Sequence, residues 1–249
     1  MKLTDASAVI SGGSSGVGAA TARALTSAGA TVIVLDRARP DDPLPGCTYL
    51  EVDVTDGAAV TAAIATGAES VPPIRVAVSC AGVAPSQRIL GRNGPHDFDD
   101  FARVVAINLL GTFHVMTAAA AHIAQAEPDE HGQRGVVVNT SSGAAFEGQI
   151  GQAAYAASKG GVNALTLPAA RDLAQHGIRV LTVAPGLMDT PMVAGFSQQV
   201  QDSLAASVPF PQRLCRPEEF AQLVLDLVAH DYMNGEIVRM DGALRMAPR

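Results

Sequence analysis

No run of lysine or arginine occurs anywhere in the 249 residues, and 17 basic side chains stand against 24 acidic ones for a net charge of −7. Nucleic-acid binding draws its affinity from clustered cations that displace phosphate counterions, so no nucleic-acid partner is expected. Only three cysteines are present, Cys47, Cys80 and Cys215. An odd number at wide spacing makes neither a disulfide framework nor a paired metal motif and points to a reducing compartment. The six histidines have no carboxylate or thiol at ligand spacing, so no metal is expected. Charged residues make up only 16% of the chain against 48% hydrophobic. That composition excludes disorder as the main state, and a chain of this length buries roughly 70–75% of its unfolded surface on folding.

Met1-Lys2-Leu3-Thr4-Asp5 lacks the apolar core of a signal peptide and leads directly into a strand-like segment, so export is not expected. Val104 to Ala126 carries no charge and is long enough to cross about 30 Å as a helix. It also holds Asn108, Thr112, His114, Thr117, His122 and Gln125 and is diluted by alanine. Transfer to lipid gains little from such a segment, and each buried polar group costs. The expectation is a helix buried between sheet and neighbouring subunit, with no membrane partner.

Apolar runs of strand length alternate with helix-length segments from end to end, as in βαβ crossovers that build a parallel sheet. Strands are predicted over Ala6–Ser11, Thr31–Asp36, Thr48–Val52, Arg75–Cys80, Gly135–Thr140, Arg179–Ala184 and Glu236–Met240. Helices are predicted over Gly16–Ala28, Asp56–Glu69, Phe98–Gln125, Gln152–His176 and Pro217–His230. The fold class is therefore α/β, a single doubly wound Rossmann-type domain over 1–249 with seven parallel strands and helices on both faces. Two Pro/Gly-punctuated loops remain, Ala84–Asp97 and Leu187–Pro211, both candidate substrate-covering segments. Pro168 lies inside a predicted helix, where it is expected to kink or interrupt it.

The first strand runs into Ser11-Gly12-Gly13-Ser14-Ser15-Gly16-Val17-Gly18 and then a helix, which sets flexible glycines and free helix N–H groups where a pyrophosphate can rest. The second strand ends at Asp36, near the spacing at which an acidic side chain accepts hydrogen bonds from an adenosine ribose. A 2′-phosphate would meet that carboxylate, so NAD is expected over NADP, although Arg37 follows directly. Tyr155 and Lys159 stand one helical turn apart, and a cation within about 4–6 Å of a phenol favours the phenolate. With three tyrosines and two lysines in the chain, chance would place a lysine four after a tyrosine in only about two or three sequences in a hundred. Upstream, Asn139-Thr140-Ser141-Ser142 ends a strand, where a hydroxyl can orient a substrate oxygen towards the tyrosine.

Taken in order, Gly12-x3-Gly16-x-Gly18, Asp53-Val54, Ala81-Gly82, Asn108, Ser142, Tyr155-x3-Lys159 and Pro185-Gly186 followed by Thr190 resemble the short-chain dehydrogenase/reductase family over the whole chain. The resemblance implies a Ser142-Tyr155-Lys159-Asn108 tetrad. Ser142 would hold the reacting oxygen, Tyr155 exchange its proton, Lys159 lower the tyrosine pKa and hold the nicotinamide ribose, and Asn108 support a relay water. It implies cofactor contacts from Ser11, Gly12, Ser15, Gly16, Val17, Gly18 and Asp36, from Asp53 and Val54 around adenine, and from Cys80, Ala81 and Gly82. Pro185, Gly186, Leu187 and Thr190 would hold the carboxamide. Cys80 departs from the family's usual Asn, which removes an amide that supports the central sheet and puts stability, more than catalysis, in question.

Glu127-Pro-Asp, Ala144-Ala-Phe-Glu-Gly-Gln-Ile-Gly-Gln-Ala-Ala-Tyr155, Leu167-Pro-Ala-Ala-Arg-Asp-Leu173 and Asp241-Gly-Ala-Leu-Arg-Met246 carry a narrower resemblance within that family, to the type-2 3-hydroxyacyl-CoA dehydrogenases. It accommodates Pro168. It implies NAD-linked oxidation of an (S)-3-hydroxyacyl-CoA in a homotetramer, with hydroxysteroids or 3-oxoacyl carrier proteins as rival substrates and a structural subunit with dispensable catalysis as a rival role. Gln149, Phe146, Met188, Phe196 and Phe210 are candidate substrate contacts, and Arg88 and Arg92 candidate partners of CoA phosphates. Arginine-rich, alanine-rich usage points to a bacterial cytoplasm.

Overall fold

Strand residues of alternating facing, such as Ala8 and Ile10 against Val9, or Val32 and Val34 against Ile33 and Leu35, fall into two separate buried clusters. That division is the mark of a sheet covered on both faces. The computed structural model describes every residue except Asn93, Pro191, Met192, Ala194, Phe196 and Arg249. In chain order it has β1 (Ser7–Ser11), α1 (Gly16–Ser27), β2 (Thr31–Asp36), β3 (Cys47–Glu51), α2 (Gly57–Ala68), β4 (Ile74–Ser79), a two-residue hairpin β5 (Leu90–Gly91) and β6 (Gly94–Pro95), and α3 (Phe98–Val105). There follow a π-helical turn (Ala106–Leu110), α4 (Gly111–Ile123), β7 (Gly135–Thr140), a 3₁₀ turn (Gly143–Ala145), α5 (Ala153–Ala174), β8 (Ile178–Pro185), α6 (Gln198–Ala206), α7 (Pro217–Ala229) and β9 (Ile237–Met240).

Seven strands form one sheet in the order β3-β2-β1-β4-β7-β8-β9, all neighbours parallel. The order reverses between β1 and β4, and the crevice above such a switch point is where an open α/β sheet receives its ligand. Every predicted strand is present, with no end shifted by more than one residue. The region predicted as loop Leu187–Pro211 contains α6, none of whose residues is buried, so no apolar periodicity announces it.

Two predictions about helices need correction. The single helix expected over Phe98–Gln125 is interrupted by the π-helical turn, in which the Gly111 N–H reaches back five residues to the Ala106 carbonyl. Such a turn inserts one extra residue into a helix and is frequent at functional sites; Asn108 lies inside it. Phe98–Ile123 is long and apolar enough to cross a membrane by length and composition, yet half of its most apolar window is buried within the chain. Pro168, in turn, does not interrupt α5, which continues to Ala174. Buried Ser158, Lys159, Val162, Thr166 and Ala170 lie on both sides of the proline, and tertiary packing of such a stripe outweighs one missing backbone bond.

Candidate active site

The turn after β1 is shaped by two glycines. Gly12 has φ +69°, and a Cβ there would lie 2.6 Å from the Ala81 nitrogen; a Cβ on Gly18 would lie 2.1 Å from the Gly12 carbonyl. Only bare backbone fits, and it leaves the N-terminus of α1 open to an anion. The Asp36 carboxylate at the end of β2 accepts the Ser14 N–H (2.9 Å) and the Arg37 N–H (2.8 Å). Together they border a cavity of about 330 Å³ that runs along the carboxyl ends of the strands and is also lined by Ser15, Gly16, Val17, Asp53, Val54, Cys80, Ala81, Gly82 and Thr190. Ser11 is buried behind it, its hydroxyl 3.5 Å from the Ala81 N–H. The cavity suits a dinucleotide: a cradle that a Cβ would fill, free helix N–H groups, and a carboxylate placed for ribose hydroxyls.

Val17, Cys80, Gly82, Val83 and Thr190 are shared with an adjoining pocket of about 230 Å³. Its floor brings together Ser142, Tyr155 and Lys159, and its walls include Pro185, Gly186, Leu187 and Met188. Ser142 leaves β7 in extended conformation (φ −164°) and caps the 3₁₀ turn by accepting the Ala144 N–H at 3.1 Å. Its hydroxyl is also hydrogen-bonded to Tyr155. Lys159, one turn along α5, donates to the Thr140 carbonyl at 2.7 Å and sits 6.0 Å from the Tyr155 ring centroid.

The expected depression of the tyrosine pKa by the lysine is not what this geometry produces. Burial pushes the Tyr155 phenol up, opposed by the Ser142 hydrogen bond, while burial pulls Lys159 down to about 8. Desolvation favours the neutral form of each group, and Nζ points to a carbonyl rather than to the phenol. Asn108 is tied into the backbone around it. Its side chain accepts the Val83 N–H (2.8 Å) and donates to the Val83 carbonyl (2.8 Å) and to Ser158 Oγ (3.0 Å), and its own carbonyl accepts from the Thr112 hydroxyl. It pins the loop after β4 to α5 beside the tyrosine. Cys80, which stands in place of an amide, accepts from the Thr140 hydroxyl at 3.7 Å, a weak tie between the ends of β4 and β7; burial pushes its thiol up to about 11.

Of the candidate substrate contacts among the described residues, only Met188 lines the inner pocket. Phe146 is half exposed under the Arg239 guanidinium, 4.8 Å from its ring centroid; Gln149 donates to the Ala247 carbonyl; Phe210 is 82% exposed. Phe196 lies outside the described residues. Arg88 lines a shallow groove with Gly148 to Ala153, leading from the N-terminus of α5. Arg88 and Arg92 are both exposed. Gln152 and Met246 line the inner pocket without having been singled out. Gln152 carried a signal, being three residues before Tyr155 and so on the same helical face. Met246 carried none, because only the closed fold brings the C-terminal segment there.

Residues 6–201 match the family model described as short chain dehydrogenase. The chain is 47% identical over 249 residues to a bovine protein named 3-hydroxyacyl-CoA dehydrogenase type-2, covering 97% of this chain and 95% of that one. Its human counterpart is 46% identical with the same coverage. The crystal structure of 3-hydroxyacyl-CoA dehydrogenase type-2 from Mycobacterium avium superposes with a TM-score of 0.92 at 42% identity and covers both chains completely. With the dinucleotide groove, the paired Ser142 and Tyr155 and the buried Lys159 on the same scaffold, the chain belongs to the short-chain dehydrogenase family.

Proposed function

We propose that the protein catalyses the reversible, NAD-dependent oxidation of (S)-3-hydroxyacyl-CoA to 3-ketoacyl-CoA. The observation that carries this reading is the convergence of Ser142, Tyr155 and Lys159 on the floor of a small pocket that opens into the dinucleotide groove. Its substrate class comes from the full-length likeness to proteins of that name. When bound, nicotinamide would supply the acceptor for the hydride that leaves the carbinol carbon. Gly12 to Gly18 would hold the pyrophosphate, Asp36 the adenosine ribose, Asp53 and Val54 the adenine, and Pro185 to Thr190 the carboxamide. Ser142 orients the alcohol oxygen and Tyr155 takes its proton. Lys159 would donate to the nicotinamide ribose, and Asn108 fixes the loop after β4 beside the tyrosine.

An assay at 340 nm with acetoacetyl-CoA and NADH, against NADPH and against estradiol with NAD, tests the proposal. Fast NADH-dependent turnover of acetoacetyl-CoA is expected; NADPH-only activity on other ketones would remove both the cofactor and the substrate assignment. Replacing Asp36 with Ala removes a charge-assisted pair of hydrogen bonds, about 1.5–3 kcal/mol. The KM for NAD rises about ten- to a hundredfold, and discrimination against NADP shrinks by a similar factor.

Burial raises the Tyr155 phenol and brings Lys159 down to about 8. Oxidation needs Tyr155 without its proton, so that it can take the one on the substrate alcohol. Its kcat/KM therefore climbs with pH from about 6 to 9, while reduction, which needs the protonated phenol, falls only as the raised value is approached. A flat oxidation profile from pH 6 to 9 would contradict this role of Tyr155.

Arg88, which lines the groove beside α5, and Arg92, exposed four residues on, are proposed to meet CoA phosphates. Their joint replacement by Ala raises the KM for acyl-CoA roughly tenfold, with little effect on a steroid alcohol. Equal effects on both substrates would remove this role. We further propose a homotetramer in a reducing cytoplasm, the latter supported by three unpaired thiols. Half-exposed Leu110 at the end of the π-helical turn, Phe113 on α4 and Leu167 on α5 support a helix-to-helix contact between copies. Sedimentation as four chains is expected, and a monomer would exclude it.

A further inference from the structure

The segment after β9 folds back over the active-site loop and is tied to it by a continuous polar network. Arg239 on β9 forms a bidentate pair with Glu147 (2.7 and 2.9 Å), a bond to Asp241 (2.6 Å) and a bond to the Leu244 carbonyl (3.2 Å). Arg245 joins the same two carboxylates, at 3.0 Å from Asp241 and 3.6 Å from Glu147. Beyond this clamp, Gln149 donates to the Ala247 carbonyl at 2.9 Å and the Ile150 N–H to the Pro248 carbonyl at 3.0 Å. Glu147, Gln149 and Ile150 all belong to the stretch between Ser142 and Tyr155. One side chain of the tail turns inward: Met246 lines the inner pocket with Ser142, Tyr155, Ala144 and Leu187. Its Cε lies 3.5 Å from the point where a Cβ on Gly143 would stand.

We infer that Met246 closes the acyl end of the pocket and thereby limits the chain length of the substrate, and that Glu147 and Arg239 are the positioning residues that hold it there. The inference rests on the acyl-CoA reading above. A cavity of about 230 Å³ is below the usual range for ligand sites, roughly 300–1,000 Å³, so one thioether at its end decides whether further methylenes fit. A single methylene in an apolar pocket changes kcat/KM by about 10–200-fold. The clamp matters because methionine is unbranched and adaptable, and its position is set by the backbone that carries it. A bidentate arginine pair fixes that backbone more tightly than a point charge would.

The test compares kcat/KM for 3-oxooctanoyl-CoA and acetoacetyl-CoA, each with NADH, in the full-length protein. Met246→Ala raises the long-to-short ratio about tenfold and Met246→Phe lowers it by a similar factor. Glu147→Gln keeps the shape of the side chain and loses its charge; it moves the ratio in the direction of Met246→Ala by a smaller factor. Hydrogen exchange at the Ile150 amide, which bonds to the tail, speeds up in the same variant, whereas it stays at the wild-type rate in Met246→Phe. If the wild type turns over acetoacetyl-CoA but both Met246 variants keep its ratio within twofold, this inference is wrong and the acyl-CoA reading stands. If the wild type turns over neither substrate, both fall together.

Discussion

Replacing Tyr155 with Phe lowers kcat for the 3-hydroxyacyl-CoA reaction by about 10²–10⁴-fold, the usual contribution of a positioned acid–base group. KM changes by less than about threefold, since the pocket walls and the dinucleotide groove are untouched. The variant loses one oxygen, whose partner in the structure is the Ser142 hydroxyl. Ser142 keeps the Ala144 N–H, so no buried polar group is stranded and the thermal midpoint stays near that of the parent. Ser142→Ala is expected to cost a similar factor, and the double variant little more than either single one, because the two hydroxyls act on one substrate oxygen as a unit. A Tyr155→Phe enzyme retaining more than a tenth of the parental kcat would show that another group carries the proton. Full additivity in the double variant would show that the two hydroxyls serve separate steps.

The parts of this site legible in the sequence are those whose geometry is local. Gly12, Gly16 and Gly18 are held by one strand-to-helix turn, and Tyr155 and Lys159 by one turn of helix, so spacing alone places them. The sheet was legible because buried strands covered on both faces read as apolar runs. Long-range placement was not. Met246 reaches the pocket only through the clamp between β9 and the loop at Glu147, and Phe146 is drawn out of the pocket towards Arg239 by the same network. The π-helical turn at Asn108 leaves the apolar pattern of its helix unbroken and so has no periodic signature. Spacing gives Lys159 its proximity to Tyr155, whereas the direction of the two pKa shifts is set by burial, which depends on the whole fold.

The second large effect lies far from the chemistry. Arg179 stands at the start of β8, at the end of the sheet opposite the site, and is 6% exposed. Its guanidinium donates to the Leu227 and Val228 carbonyls (both 3.0 Å), which are the unpaired acceptors of the last turn of α7, and to the Met233 carbonyl at 3.1 Å and the Gln133 amide oxygen. A cation at a helix C-terminus satisfies orphan carbonyls and opposes the helix dipole together. Arg179→Met preserves much of the volume but strands four acceptors, each costing about 1–3 kcal/mol when buried without a partner. The buried guanidinium itself costs desolvation that the variant recovers, so the expected net loss is about 3–5 kcal/mol. For a domain of this size that is roughly a 10–15 °C drop in Tm. Arg179→Lys recovers part of the loss, because an ammonium offers three donors from one point and cannot span carbonyls that the planar fork reaches from three nitrogens. In both variants the kcat of the folded fraction stays close to that of the parent. A melt unchanged within 2 °C in Arg179→Met would mean that the helix end is held by the packing of Phe220, Val224 and Leu227 against the sheet, with the arginine contributing nothing net.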